Sequence, residues 1–142
     1  MTGPDDGPLR GRVVLVTGAG AGIGRAISVA CARAGAAVVV SGPGDNAAET
    51  ARLAGAQGGR AVFARTDVTV ADEVEAAVQR AVDVFGGLDA VVHNATSRRS
   101  SDVVAIDAID DDAWDDHMAV SLRGAYHCAR FALPHLARRR GA

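Results

Sequence analysis

The 142-residue sequence contains no lysine; all 15 of its basic residues are arginine. A whole class of catalytic base and amine nucleophile is therefore missing. Cysteine is nearly absent as well. Cys31 and Cys128 lie far apart, each in a stretch with helical periodicity, so neither a disulfide framework nor a zinc spacing can be assembled from them. They are expected as small, reduced core residues, which suits a cytoplasmic protein. No apolar run approaches the length of a membrane span. The leader "MTGPDDGPLRG" carries acid where a signal peptide needs positive charge. Residues 1–9 are expected to form a disordered arm and residues 10–142 one domain. A net charge of −2 gives bulk electrostatics no hold on nucleic acid or an anionic membrane, and neither is expected as a partner.

What is present is alternation. "RVVLVTG" (12–18) is a run of consecutive, largely β-branched residues, the pattern of a strand buried on both faces. Ile23, Ala26, Ile27, Ala30 and Ala34 then recur at helical spacing, stopped by Gly35. "AAVVVSG" (36–42) is a second strand, followed by an alanine-rich helix over roughly 45–57 and a third strand, "RAVFARTDV" (60–68). Thr69 is expected to cap the next helix, whose apolar face is Val74, Ala77, Val78, Ala81, Val82 and Phe85. "GGLDAVVHNA" (86–95) supplies a turn and a fourth strand. A last helix begins near residue 110. Its expected buried face is Trp114, Met118, Leu122, Tyr126, Ala129, Leu133 and Leu136, with Pro134 kinking or ending it. Strict strand–helix alternation implies an α/β, doubly wound parallel sheet with right-handed crossovers.

The turn "TGAGAGIG" (17–24) joins the first strand to the first helix. There the helix presents unpaired backbone N–H groups and the positive end of its dipole, so an anion is held by backbone and side chains would only obstruct it. Gly18 would begin the turn, Gly22 would let a pyrophosphate approach, and Gly24 would let the helix pack on the strand. No Gly-Lys-Ser/Thr follows, which excludes a nucleoside-triphosphate P-loop.

The spacing of Thr17, Gly18, Gly22, Ile23 and Gly24 resembles the short-chain dehydrogenase/reductase family. Asp67 and Val68 are similar to that family's adenine-pocket pair, and "LDAVVHNA" to its strand-four signature, with Asn94 and Ala95 matching. "WDDHMAVSLRGAYHCARFALPHL" resembles the long helix that follows. The resemblance implies a Rossmann-like fold and NAD or NADP as cofactor, held by Gly18, Gly22, Ile23, Gly24, Asp67, Val68, Asn94 and Ala95. It further implies hydride exchange with a small alcohol or carbonyl substrate.

Three positions depart from the pattern. His93 and Thr96 replace the first Asn and the Gly of the strand-four signature, and a histidine bonded into the strand end is expected in preference to a general base. Ser121 stands where the family places a helical asparagine that supports a proton relay. The family's catalytic Ser and Tyr-x-x-x-Lys follow strand five, and these 142 residues stop short of them. The sheet is accordingly expected to end after about four strands, and the chain alone to be inactive. Tyr126, the one tyrosine, is read as core. The alternative is a non-catalytic dinucleotide-binding or assembly module. Its fourth strand would form an apolar edge that favours self-association.

Smaller clusters carry less. Asp110, Asp111, Asp112, Asp115 and Asp116 suit a solvated helix start, and no metal site is expected. Arg98 and Arg99 can reach a phosphate or an acidic substrate. Cofactor preference stays open, with Gly42 and Pro43 at the discriminating positions and Asp45 a little beyond.

Overall fold

The computed structural model of the chain describes residues 7–101 and 105–141. Four parallel strands, β1 (Val13–Val16), β2 (Ala37–Gly42), β3 (Arg60–Arg65) and β4 (Ala90–Val92), form one sheet in the order β3-β2-β1-β4. Five helices accompany them: α1 (Gly22–Arg33), α2 (Asp45–Gly55), α3 (Ala71–Phe85), α4 (Asp111–His117) and α5 (Gly124–Arg139). A π-helical segment, Met118–Arg123, joins the last two. This is the doubly wound, Rossmann-like α/β sheet that the alternation implies.

Alternate strand residues feed two cores. Val13, Leu15, Ala37 and Val39 pack with Ala77, Val78 and Ala81 of α3 and with Ala132 and Leu136 of α5. Val14, Val16, Val38 and Val40 pack on the other face with Ala32 of α1 and Ala47, Ala51 and Ala54 of α2. Burial on both faces is why β1 and β2 read as unbroken apolar runs. The chain winds outward from β1 to β3, and α3 then carries it back to β4 on the other side of β1. That reversal opens a crevice between β1 and β4 at the carboxyl ends of the strands.

The opposite end of the sheet is tied by a carboxylate. Asp89 is buried and accepts from the Val13 amide at 2.8 Å, with Arg12 at 3.2 Å and Arg139 at 3.3 Å. One side chain thus holds the start of β1, the entry to β4 and the end of α5 together.

Several local expectations are corrected. Thr69 does not cap α3, whose N-cap is Val70 with no side-chain bond. Instead Asp67 Oδ1 accepts from the Thr69 amide and hydroxyl at 2.9 and 2.7 Å, and Glu73 of α3 reaches back to accept from the Asp67 amide at 2.6 Å. The first-turn glutamate thus ties the loop before α3 to the helix without capping any of the helix's own amides. Pro134 lies inside α5, which continues to Arg139. Gly7–Leu9 are docked, with the Leu9 amide donating to the Ala34 carbonyl at 2.9 Å; residues 1–6 of the expected arm lie outside the described residues. Cys128 is buried and Cys31 half-buried, both as free thiols.

The largest correction concerns the last helix. Of its seven expected core residues only Leu136 is buried; Trp114, Met118, Leu122, Tyr126, Ala129 and Leu133 are exposed, Leu122 by 61% and Tyr126 by 57%. The buried residues are Gly124, Cys128, Ala132 and Leu136, four residues apart, with His127 beside them. Space decides this at the start of the helix. A Cβ at Gly124 would stand 2.7 Å from Val68 Cγ2, and the His127 ring bonds the Val68 carbonyl at 2.8 Å.

Candidate cofactor site

A cavity of about 770 Å³ occupies the crevice between β1 and β4. Gly18, Gly20, Ala21, Gly22 and Ile23 form one wall, Thr66, Asp67 and Val68 the end beyond β3, and Asn94, Ala95 and Thr96 the floor beyond β4. Arg98, Arg99, Asp116 and Val120 close the far side, and Pro43 and Asn46 the corner beyond β2. Seven of the eight expected cofactor residues line it. Gly24 stands directly behind.

Each glycine of the turn is needed for a different reason. Gly18 has φ +61°, and a Cβ there would lie 2.7 Å from Ala95 Cα, so both conformation and space exclude a side chain. Gly24 has ordinary helical φ, but its Cβ would lie 2.5 Å from the Gly18 carbonyl oxygen and from Asn94 Nδ2. Gly22 has φ +50°, which favours glycine, lines the cavity, and has nothing within 4 Å of a Cβ. The first amides of α1 have no partner inside the helix and carry the positive end of its dipole. The result is an anion cradle made of backbone.

Other groups hold the cradle in shape. Asn94 Nδ2 donates to the carbonyls of Thr17 and Gly18 at 3.2 and 3.1 Å. The buried Thr17 hydroxyl accepts from the amides of Asn94 and Ala95 at 3.1 and 3.2 Å. Arg25 of α1 donates to the Gly20 carbonyl at 2.7 Å and to Thr50 at 2.9 Å. Nothing in the sequence marks Arg25, Asn46 or Val120 as part of a site. They are assembled by tertiary contact alone.

The remaining candidates fall out as follows. The Ser121 side chain is exposed and does not line the cavity; its backbone carbonyl faces His93 Nε2 at 3.2 Å. Asp116 does line it and is hydrogen-bonded by the Ser97 hydroxyl, so the acidic cluster is not wholly solvated. Asp110 is the α4 cap, accepting from the Ala113 amide at 2.7 Å. Among the described residues no three acidic, histidine or cysteine side chains group as metal ligands, and no helix is long and apolar enough to cross a membrane. At the corner beyond β2 Asp45 pairs with Arg65, which also donates to the Pro43 carbonyl at 2.6 Å.

A parallel sheet with a backbone cradle at its switch point defines the class of dinucleotide-binding folds. The donor set fits such a cofactor: amides and a helix N-terminus for a pyrophosphate, and a β3-end pocket for a base. The model for short chain dehydrogenases matches residues 12–142, and the chain belongs to the short-chain dehydrogenase/reductase family. It is 39% identical to D-beta-hydroxybutyrate dehydrogenase of Cupriavidus necator over 127 residues, covering 89% of this chain and 48% of that one. It is 43% identical to the peroxisomal hydratase-dehydrogenase-epimerase of Neurospora crassa over 130 residues, covering 89% of this chain and 13% of that one. Carveol dehydrogenase from Mycobacterium avium, solved in complex with NAD, superposes with a TM-score of 0.85 at 28% identity, over 94% of this chain and 52% of that one. The chain thus spans about half the length of most of these relatives and a smaller share of the longest.

Proposed function

We propose that these 142 residues are the cofactor-holding part of an NAD(P)-dependent alcohol or carbonyl oxidoreductase. The observation that carries this is the cavity that runs from the α1 N-terminus, at Gly22 and Ile23, to Asp67 and Val68. Gly18, Gly22, Ile23 and the first α1 amides would hold the pyrophosphate, Asp67 and Val68 the adenine, and Asn94 and Ala95 the floor toward the nicotinamide. When bound, the nicotinamide supplies or accepts hydride. No lysine exists in the sequence, and Tyr126 points into solvent. The groups that exchange a proton with substrate are therefore to be supplied from outside these residues, and Ser121 is not assigned a relay role. The 142-residue chain alone is expected to show no dehydrogenase turnover.

NADH and NADPH titrated into the purified chain are expected to bind saturably, read by energy transfer from Trp114, the single tryptophan. Asp45 and Arg65 neutralise each other at the corner beyond β2, so neither charge selects for or against a 2′-phosphate and NADH and NADPH are expected to bind with comparable affinity. Absence of saturable binding by a chain with native circular dichroism would refute the reading.

A second reading concerns assembly and rests on the exposed stripe. Trp114, Met118, Leu122, Tyr126 and Leu133 are five large exposed apolar residues within 20 positions of the last helices, the kind of surface that marks an interaction site. We infer that this face pairs with a second copy. Sedimentation at micromolar concentration is expected to show a dimer or higher state, shifted to monomer by Leu122→Glu. A wild-type chain that stays monomeric under those conditions contradicts it.

A further inference from the structure

Two of the positions that depart from the family pattern, His93 and Ser121, meet in space. His93 Nε2 lies 3.2 Å from the Ser121 carbonyl oxygen, and Nδ1 lies 3.3 Å from Thr17 Oγ1. The hydrogen positions follow from valence. A carbonyl only accepts, so Nε2 carries the proton and donates. Thr17 Oγ1 already accepts two amide hydrogens, from Asn94 and Ala95, so its own hydrogen points to Nδ1, the acceptor of the neutral ring. A continuous chain results, from the β4-end amides through Thr17 and the ring to the Ser121 carbonyl.

That carbonyl sits in the π segment. The Gly124 amide donates to Ala119, five residues back, and such a wide turn is rare and needs outside support to persist. Gly124 also brings the helix onto the ring, since a Cβ there would lie 3.1 Å from His93 Cε1. Val120, next to Ser121, lines the cavity.

We propose that His93 is a positioning residue, clamping the π segment to the ends of β1 and β4 and thereby setting the Val120 wall of the cavity. The clamp stands on the hydrogen-bond geometry; that the wall it sets belongs to a dinucleotide site rests on the reading above. The groups described facing the ring are the Thr17 hydroxyl of β1, the backbone of Val120 and Ser121, and the Cys128 thiol of α5 at 3.8 Å. None is anionic near neutrality: burial pushes the Cys128 thiol up to about 11. Burial likewise holds His93 below its ordinary value of 6.5, in keeping with the neutral ring. A group whose folded value is depressed contributes stability that is full above its unfolded value and is lost as pH falls through the folded one. The stability from the neutral ring is therefore expected to decline from about pH 6.5 downward; protonation then ends the Thr17–Nδ1 bond and leaves Nε2 donating to Ser121.

The test begins on wild-type protein with long-range nitrogen–proton NMR of the His93 ring. The Nε2–H tautomer is expected at pH 7.5; an Nδ1–H tautomer or a charged ring overturns the proposal without any variant. Amide exchange then separates the clamp from simple core packing. In His93→Ala the Gly124 amide is expected to exchange at least tenfold faster while the amides of Val14 and Val16 are unchanged. His93→Gln, which can place a donor where Nε2 lies, is expected to restore protection, and His93→Asn, which is too short, is not. Uniform acceleration, or equal behaviour of Gln and Asn, overturns the clamp. If wild type binds NADH and His93→Ala binds it equally well, the clamp does not set the wall; if wild type binds no dinucleotide, the functional reading fails and the exchange result still stands.

Discussion

Gly24→Val is expected to lose about 3 kcal/mol of stability, whereas Gly22→Asp is expected to stay close to wild-type stability and to lose dinucleotide binding. The two glycines are two residues apart in the same turn, and local sequence does not separate them. Geometry does. A side chain at Gly24 must displace the Gly18 carbonyl or the Asn94 amide group, both 2.5 Å from its Cβ. The first is backbone at the end of β1, and the second is anchored by bonds to Thr17 and Gly18. Moving α1 off the sheet by the ångström needed also uncouples the Ala32 contact with the Val14–Val16 face. Overpacking costs about 1–3 kcal/mol, and with backbone as one of the two obstacles the upper end is expected here, a large part of the roughly 5–15 kcal/mol that holds a domain folded. At Gly22 the Cβ meets nothing. The cost there is the positive φ, about 1 kcal/mol, which the fold survives, while the carboxylate occupies the cradle and repels a pyrophosphate. A loss of binding of about 100-fold, or about 2.7 kcal/mol, is expected. Urea denaturation of both variants with NADH titration of the second checks the contrast. A Gly24→Val variant as stable as wild type would show that α1 can leave the sheet more easily than these contacts imply.

Asp89→Ala is expected to destabilise the chain by about 3 kcal/mol while leaving the cavity untouched. The carboxylate lies at the far end of the sheet, 4% exposed, and it is the acceptor for the Val13 amide. Its removal strands that buried N–H, at about 1–3 kcal/mol, and removes the common partner of Arg12 and Arg139. Arg12 is 55% exposed, so its share is small; the main loss is the amide and the anchoring of α5. Asp89→Asn keeps an acceptor for Val13 and is expected to cost about 1 kcal/mol. Denaturant midpoints of the two variants decide this. Equal losses in both would mean that charge, not the Val13 bond, is what the residue contributes.

The contrast between these two sites shows what could be read from sequence. The glycine turn was legible because its requirements are local: a positive φ at Gly18 and Gly22 and a missing Cβ at Gly24 leave a mark in residue type. Strands buried on both faces were legible for the same reason, since consecutive Val and Leu admit few other readings. Asp89 left no such mark, because an aspartate in a turn ordinarily signifies the turn. The face of α5 was misread for a physical reason. Size and apolarity point to the large residues as the buried side, but α5 comes against Val68 with Gly124, with Cys128, and with His127, whose ring bonds the Val68 carbonyl at 2.8 Å, which leaves Leu122 and Tyr126 outside. His93 and Ser121 were visible separately as departures. Their hydrogen bond spans 28 residues and depends on a π turn that no periodicity announces.

A cofactor cradle made of backbone is open to an amide NMR titration of the isotope-labelled chain with NADPH. Saturable shifts are expected at Gly20–Gly24, Asp67, Val68, Asn94 and Ala95, with one common dissociation constant and no such response in Gly22→Asp. Shifts confined to surface arginines, unsaturated and unaltered by Gly22→Asp, would contradict it.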